Sequence, residues 1–264
     1  MSNHSTHLNV RPVRAFADNY IWLIAAPEAP DQVVVVDPGD AAPVIAELQR
    51  SGASLAAILL THHHPDHIGG VPELLRLKKV PVLAPDDARI THATRTVHGG
   101  EHCELPNLGL SFELLAVPGH TVSHIAFVGH GALFCGDTLF SAGCGRMFEG
   151  TPVQMNASLN KLRDLPPDTQ VFCGHEYTAA NLRFALTVEP ANAAALEYQD
   201  AVQRLRAAGN PSLPSTLGLE IRVNPFLRCD QPTVIAAAEA HAGKSLAEPA
   251  DVFGVLRAWK DGFR

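Results

Sequence analysis

The chain has 264 residues, 46% hydrophobic and 18% charged, with a formal net charge of -7 at pH 7. That is enough apolar material for one large domain or two unequal ones, and too little charge for a disordered chain. An acidic balance with no Lys/Arg block interleaved with aromatics excludes nucleic acid as the default partner. Apolar runs such as Gln32 to Val36 and Leu55 to Leu60 fall far short of the roughly 20 residues that cross a bilayer, so no membrane span is expected.

The first residues, Met1 to Val10, lack the basic region, apolar stretch and small-residue cleavage site of an export signal, so the cytoplasm is the expected compartment. From Val10 to about His175, short β-branched-rich runs end in Gly, Pro, Asp or His, the texture of strands with turns between them. Strands are expected at Ala15 to Ala25, Gln32 to Val36, Leu55 to Leu60, Val80 to Leu83, Ser111 to Ala116, His124 to Val128, Ala132 to Cys135 and Gln170 to Cys173. Helical spacing appears at Ala41 to Arg50 and Val71 to Leu77, as for helices packed on a sheet. After His175 the texture changes. Ala179 to Thr187, Ala191 to Ala208, Thr233 to His241 and Ala250 to Trp259 carry helical spacing, no convincing strand is visible, and Pro-rich Asn210 to Arg228 reads as an ordered loop. An α/β domain over 1-175 and a smaller helical domain over 176-264 are therefore expected. The five Cys (Cys103, Cys135, Cys144, Cys173, Cys229) are odd in number and lack CxxC spacing, so reduced, buried thiols are expected.

The 14 His are the better lead. Thr61-His62-His63-His64-Pro65-Asp66-His67 follows directly on the apolar run that ends at Leu60. A buried strand delivers these residues to a loop at the sheet edge, where His62 and His64, two apart, turn to one side and His63 to the other. Imidazoles and carboxylates bunched in this way suit divalent ions such as zinc, iron or manganese. Three later segments repeat the placement, an apolar run, then Gly, then a ligand-type side chain: Gly119-His120, Gly136-Asp137 and Gly174-His175. Glycine there lets the backbone turn sharply, and loops at the ends of adjacent strands can converge on one site. His63 and His124 are expected to make structural hydrogen bonds. His4, His7, His92, His98, His102, His130 and His241 lack ligand partners in the sequence and are expected in surface or packing roles.

The HxHxDH motif and the later Gly-His-Thr, Gly-Asp-Thr and Gly-His elements, in this order, resemble the metallo-β-lactamase superfamily over Ala15 to His175. The resemblance implies an αββα sandwich, here followed by an all-helical C-terminal domain. It also implies that His62, His64 and His120 hold one metal, that Asp66, His67 and His175 hold a second, and that Asp137 bridges them. Asp37, in Val36-Asp37-Pro38-Gly39, matches the superfamily's early aspartate, which supports the site from outside; taken alone it reads equally well as a turn former.

Finer motifs resemble glyoxalase II: Cys135-Gly136-Asp137-Thr138-Leu139-Phe140, Gly143-Cys144-Gly145-Arg146, Glu149-Gly150-Thr151, Gly174-His175-Glu176-Tyr177, Asn224-Pro225-Phe226-Leu227-Arg228 and Arg257-Ala258-Trp259-Lys260-Asp261. That family implies hydrolysis of S-(2-hydroxyacyl)glutathione, typically S-D-lactoylglutathione, to glutathione and D-lactate in methylglyoxal detoxification. The nucleophile would be a metal-bridged hydroxide positioned by Asp66 and Asp137, on two divalent ions per chain, zinc first with iron or manganese as alternatives. The family implies glutathione contacts at Arg146, Tyr177, Arg257 and Lys260. Glutathione carries a carboxylate at each end, and Arg and Lys supply charge-assisted donors for them. Arg146 stands where the family commonly shows Lys, and Phe148 where Tyr is frequent. A monomer is expected. The rival readings are a glutathione-persulfide dioxygenase of the same superfamily with one iron, and a metal-dependent binding module that kept the fold. The helical ending and Asn224 to Arg228 favour the hydrolase over the first, and the complete ligand set favours it over the second.

Overall fold

The computed structural model describes residues 8–263, so His4 and His7 lie outside the described residues. The chain divides into two compact units, Met1–Ala116 with Ser123–Gly136, and Val117–Val122 with Asp137–Arg264.

The first unit begins with an antiparallel meander, β1 (Val10–Ala15), β2 (Asn19–Ala26) and β3 (Ala29–Val36). Helix α1 (Ala41–Ser51) then carries the chain to β4 (Ser54–Leu59), and α2 (Pro65–Ile68) with α3 (Val71–Leu77) carries it to β5 (Val82–Pro85) and β6 (Arg95–Val97). Strands β3 to β6 are parallel, which requires such crossovers. Helix α1 starts where the Asp40 side chain accepts the Ala42 N–H and stops at Gly52, whose φ is 72°. Its apolar face, Val44 and Leu48, joins Leu23, Val35, Ile58, Leu74 and Val82 in one core. Strands β7 (His102–Leu105), β8 (Leu110–Ala116), β9 (Ile125–Gly129) and β10 (Ala132–Gly136) pair antiparallel in chain order. On β8 the alternation points Leu110, Phe112 and Leu114 inward, and the Phe112 ring meets Phe127 and Phe134 edge-on at 6.3 and 6.0 Å.

The second unit holds the short hairpin β11 (Leu139–Phe140) and β12 (Gly143–Cys144), helix α4 (Pro152–Arg163), and β13 (Gln170–Cys173) paired with β14 (Ser215–Thr216). Helices α5 (Thr178–Val188), α6 (Ala193–Ala207), α7 (Leu217–Val223), α8 (Pro232–Ala242) and α9 (Pro249–Gly262) fill its C-terminal part. Leu182, Val202 and Val223, from three of these helices, pack on Ala142 of the hairpin turn.

Three expectations need correction. Ala15 to Ala25 is not one strand, because the chain reverses at 16–18, with Phe16 at φ 50°, and forms a hairpin. Asn210 to Arg228 is not a loop, since it holds β14, α7 and the 3-10 turn Pro225–Leu227, and β14 is therefore a strand beyond His175. Its prolines concealed the helix, yet Pro225 sits at the start of a turn, where a missing N–H costs nothing. Helix α4 was missed because Gln154, Asn156 and Asn160 blur its apolar face; a capping box of Thr151 and Gln154 starts it.

All five cysteines are buried and unbridged, as expected. Among the described residues no helix is long and apolar enough to cross a membrane. Phe112→Ala, at a fully buried position, should cost about 3–5 kcal/mol of stability, read as a lower urea midpoint at unchanged m-value.

Candidate active site

In the first unit, β4 hands the chain to the HxHxDH loop, and a single carboxylate orders it. Asp37, at the end of β3, accepts the Thr61 N–H at 2.8 Å and the Thr61 Oγ1–H at 2.7 Å. With its proton committed to Asp37, the Thr61 oxygen accepts the His62 Nδ1–H at 3.0 Å, and His67 Nδ1–H donates to Asp37 Oδ2 at 3.1 Å. Both rings are thereby held in the tautomer that keeps the lone pair on Nε2, the form a metal needs. Asp37, His62 and His67 offer atoms within 4.8 Å of one another, but these hydrogen bonds make Asp37 the support and not a ligand. His62 Nε2 stands 3.1 Å from His64 Nδ1, close to the ~3.3 Å between two ligands of a tetrahedral ion with bonds of 2.0–2.1 Å. Asp66 is held by Asn19 Nδ2, which donates to Oδ2 at 3.0 Å, and that oxygen lies 3.6 Å from His67 Nε2.

His63 turns the other way, to 3.4 Å from Asp87. Hydrogen bonds from Arg89, and then from Ser123, hold the Asp87 carboxyl well below the usual carboxylate range. His124 Nδ1 donates to Ile125 O at 3.0 Å and its ring stacks on His62 at 4.6 Å. His124 makes the structural hydrogen bond expected of it, whereas His63 Nδ1 meets Asp87 as an ion-pair contact and not as a hydrogen bond. Asn19 and Asp87 carried no mark in the sequence, because an Asn before a strand and an Asp in a turn are commonplace.

In the second unit, Asp137 follows Gly136, whose φ of 47° is the left-handed backbone that glycine adopts without strain. Asp137 Oδ2 lies 3.5 Å from His120 Nε2 and 3.3 Å from His175 Nε2, so one carboxylate oxygen faces two imidazoles, as a bridging ligand would. His120 Nδ1–H donates to Arg146 O at 2.7 Å, which again leaves Nε2 as the donor atom. Beside them runs Gly145, where a Cβ would fall 1.9 Å from Asp137 O, so only glycine permits this approach. The His175 ring stacks on Tyr177 at 4.8 Å, 3° from parallel. His62, His64, Asp66 and His67 thus belong to one unit, and His120, Asp137 and His175 to the other. Imidazole nitrogens and carboxylate oxygens without a thiolate fit zinc, iron or manganese.

His120 and Asp137 open on a cavity of ≈ 410 Å³ within the second unit, lined also by Arg146, Tyr177, Arg257 and Lys260. Arg257 is 4% exposed; its Nη1 donates to Cys144 O at 2.8 Å and its Nη2 to Asp261 Oδ1 at 3.1 Å, while Nε has no hydrogen-bond partner. Lys260 lies half-buried, 5.5 Å from the ring centres of Phe184 and Phe263. Burial, then the charges of Arg257, Arg183 and Arg146, push its ammonium pKa down to about 8. The Cys144 thiol is pushed up to about 11 by burial, against the pull of Arg257, so it forms an inert wall. Phe148 is 64% exposed and meets His120 edge-on at 5.3 Å. Phe140, Cys144, Asn181 and Phe263 also line the cavity and were not foreseen, since nothing local distinguishes them from packing residues.

Histidines with carboxylate- and carbonyl-fixed tautomers at the ends of strands, on mixed α/β sheets followed by a helical region, are the marks of a metal-dependent hydrolase of the metallo-β-lactamase fold. The profile described as "Metallo-beta-lactamase superfamily" matches residues 16–175, and that described as "Hydroxyacylglutathione hydrolase C-terminus" matches 176–263. The hydroxyacylglutathione hydrolase of Idiomarina loihiensis is 51% identical over 254 residues, covering 96% of this chain and 99% of the relative. That of Xanthomonas campestris pv. campestris is 53% identical over 251 residues, covering 95% and 97%. The solved structure of TTHA1623 in a di-iron-bound form matches with a TM-score of 0.59 at 28% identity, over 82% of this chain and 100% of its own. The chain belongs to the hydroxyacylglutathione hydrolase family.

Asp37→Asn preserves the shape of the Thr61 and His67 contacts but puts an amide where only an acceptor fits. It should lower metal affinity about 10–100-fold, as measured by competition with a chelator, while the fold persists.

Proposed function

We propose that the chain hydrolyses S-(2-hydroxyacyl)glutathione, typically S-D-lactoylglutathione, to glutathione and the 2-hydroxy acid, D-lactate, as a step of methylglyoxal detoxification. One observation carries the reading: a single cavity is lined both by the His120–Asp137 pair and by the cations Arg146, Arg257 and Lys260. Metal-ligating chemistry and carboxylate recognition meet in one space, as a glutathione thioester requires.

We assign His62, His64 and His120 to one divalent ion, Asp66, His67 and His175 to a second, and Asp137 to both, with zinc first and iron, found in a relative, next. When bound, such ions lower the pKa of water to give a nucleophile near neutral pH and polarise the thioester carbonyl. Asp66 and Asp137 would accept a hydrogen bond from that nucleophile and so orient it toward the thioester carbonyl. Arg146 and Lys260 grip the carboxylates of the tripeptide, Tyr177 offers a hydroxyl from a ring clamped on His175, and Arg257 adds its positive charge while holding the cavity wall at Cys144. The leaving thiolate, of pKa about 8.5 when free, departs without a general acid. By function, residues 1–175 carry the chemistry and one glutathione contact, Arg146, while 176–264 carry the other glutathione contacts. Both come from one chain, so a monomer suffices, and the cytoplasm is the compartment that supplies reduced glutathione.

Elemental analysis of protein purified without chelator should find close to two divalent ions per chain, and Asp137→Ala should lose both ions and all activity. A wild-type chain saturated at one ion would refute the assignment. Lys260 supplies a pH test. Its pKa is lowered, so it is charged below about 8 and neutral above, and a neutral amine cannot pair with a carboxylate. Accordingly kcat/KM for a glutathione thioester should fall as pH rises through about 8. Lys260→Met should raise KM at pH 7 about tenfold or more, keep kcat and the metals, and lack this alkaline limb. Persistence of the limb in the variant would remove Lys260 from the site.

A further inference from the structure

The turn between β11 and β12 is held by side chains from four helices of the same unit. Asn224 Nδ2 donates to Phe140 O at 3.1 Å and to Gly143 O at 2.9 Å. Asn181 Nδ2, from α5, donates to Ser141 O at 3.0 Å, and Arg257 Nη1, from α9, donates to Cys144 O at 2.8 Å. Glu220, from α7, accepts the Ser141 Oγ–H and the Ala142 N–H, both at 2.7 Å. Because Ser141 gives its proton to Glu220, the 2.9 Å contact between Ser141 Oγ and Tyr198 of α6 is a donation by the tyrosine. Ala142 adopts a left-handed backbone, φ 54°, which a residue with a Cβ keeps only where its surroundings over-determine it. Glu220 and Asn224 are both 0% exposed. Glu220 has no ion-pair partner among the described residues, and burial raises its carboxyl pKa against the pull of its donors. A carboxylate in such a place is costly to a core, a cost larger than the small gain that an acidic residue in the first turn gives a helix.

The hairpin that Glu220 holds touches each metal-ligand candidate of this unit. Asp137 stands at its base, where Thr138 O accepts the Gly145 N–H at 3.3 Å and Gly145 presses on the Asp137 carbonyl. The segment leaving it presents Arg146 O to His120 Nδ1 at 2.7 Å. Phe140 sets its ring edge-on to His175 at 5.8 Å and to Tyr177 at 5.3 Å.

We propose that Glu220 is a positioning residue for the reaction: with Asn224 it fixes the Phe140–Cys144 turn, and through that turn the Asp137 carboxylate and the His120 and His175 rings. The proposal rests on the reading of Asp137, His120 and His175 as metal ligands. A shift of a few tenths of an ångström in the turn is passed to a carboxylate whose task is to orient a nucleophile, a geometry to which rate is steeply sensitive.

The test uses cobalt-substituted full-length protein. Wild type first reports on the underlying reading, through cobalt stoichiometry and thioesterase activity. Glu220→Gln places an amide N–H against groups that all donate, and it should alter the cobalt d–d spectrum. It should also lower kcat about tenfold or more on both a glutathione thioester and a small thioester without a glutathionyl part. The control is Glu189→Gln, which breaks a buried carboxylate bound to Arg228 and Thr233 in the same helical region, away from the hairpin. It should lower the melting temperature and leave spectrum and kcat as in wild type. Should Glu220→Gln fail to fold, Ser141→Ala removes one hydroxyl from the network and should give the same spectral shift at smaller amplitude. A folded Glu220→Gln or Ser141→Ala protein with wild-type spectrum and kcat overturns the proposal, and so does a loss confined to KM for the glutathione thioester, which would place the effect on the cavity wall alone. Failure of wild type to bind cobalt or cleave a thioester would instead overturn the functional reading.

Discussion

Donor atoms that are to share a metal ion must be held 3 to 4 Å apart, with lone pairs facing one another and nothing between them. The structure answers this constraint in the same way in both units. Three of the imidazoles give Nδ1 to a fixed acceptor, which leaves the lone pair on Nε2: Asp37 serves His67 directly and His62 through Thr61, and Arg146 O serves His120. These acceptors sit at the end of β3, at the start of the HxHxDH loop and on the segment that follows the β11–β12 hairpin. Three of the residues that read in the sequence as candidate ligands are thus each held by a dedicated brace in the folded chain.

In the helical part of the second unit the same side chains build the cavity wall and charge it. Arg257 has two of its nitrogens committed to Cys144 and Asp261, and its Nε is buried without a hydrogen-bond partner. Burial, and then three neighbouring cations, make the charge of Lys260 expensive. An anionic group placed among these cations would relieve their mutual repulsion.

The metal loop was legible because its residues are consecutive and chemically unlike anything a surface loop needs, and His120, Asp137 and His175 because each follows a Gly at the end of an apolar run. The order of the motifs then matched a known superfamily. Illegible were the groups that act at long range. Glu220 lies in Leu217-Gly218-Leu219-Glu220-Ile221-Arg222-Val223, where a Glu beside an Arg reads as the solvent face of a helix; only the fold reveals that it is fully buried. Two-residue strands such as β11 and β12 have no period to detect, and Asn19 and Asp87 depend on partners 47 and 36 residues away. The run Ala15 to Ala25 misled for the opposite reason, since only the Asp18-Asn19 pair interrupts its hydrophobicity at the turn.

The hairpin clamp also sets a schedule for biosynthesis. At about 5–20 residues per second, the 113 residues between Cys144 and Arg257 take roughly 6 to 23 s to add. The histidines of the HxHxDH loop and Asp137 have been made before that interval begins, while the clamp is added piecemeal within it, Asn181 first and Arg257 last. The growing chain therefore passes through a stage in which it offers imidazoles and carboxylates before the whole clamp is in place. Under the proposed metal assignment, the choice of ion is then a matter of timing as well as of affinity.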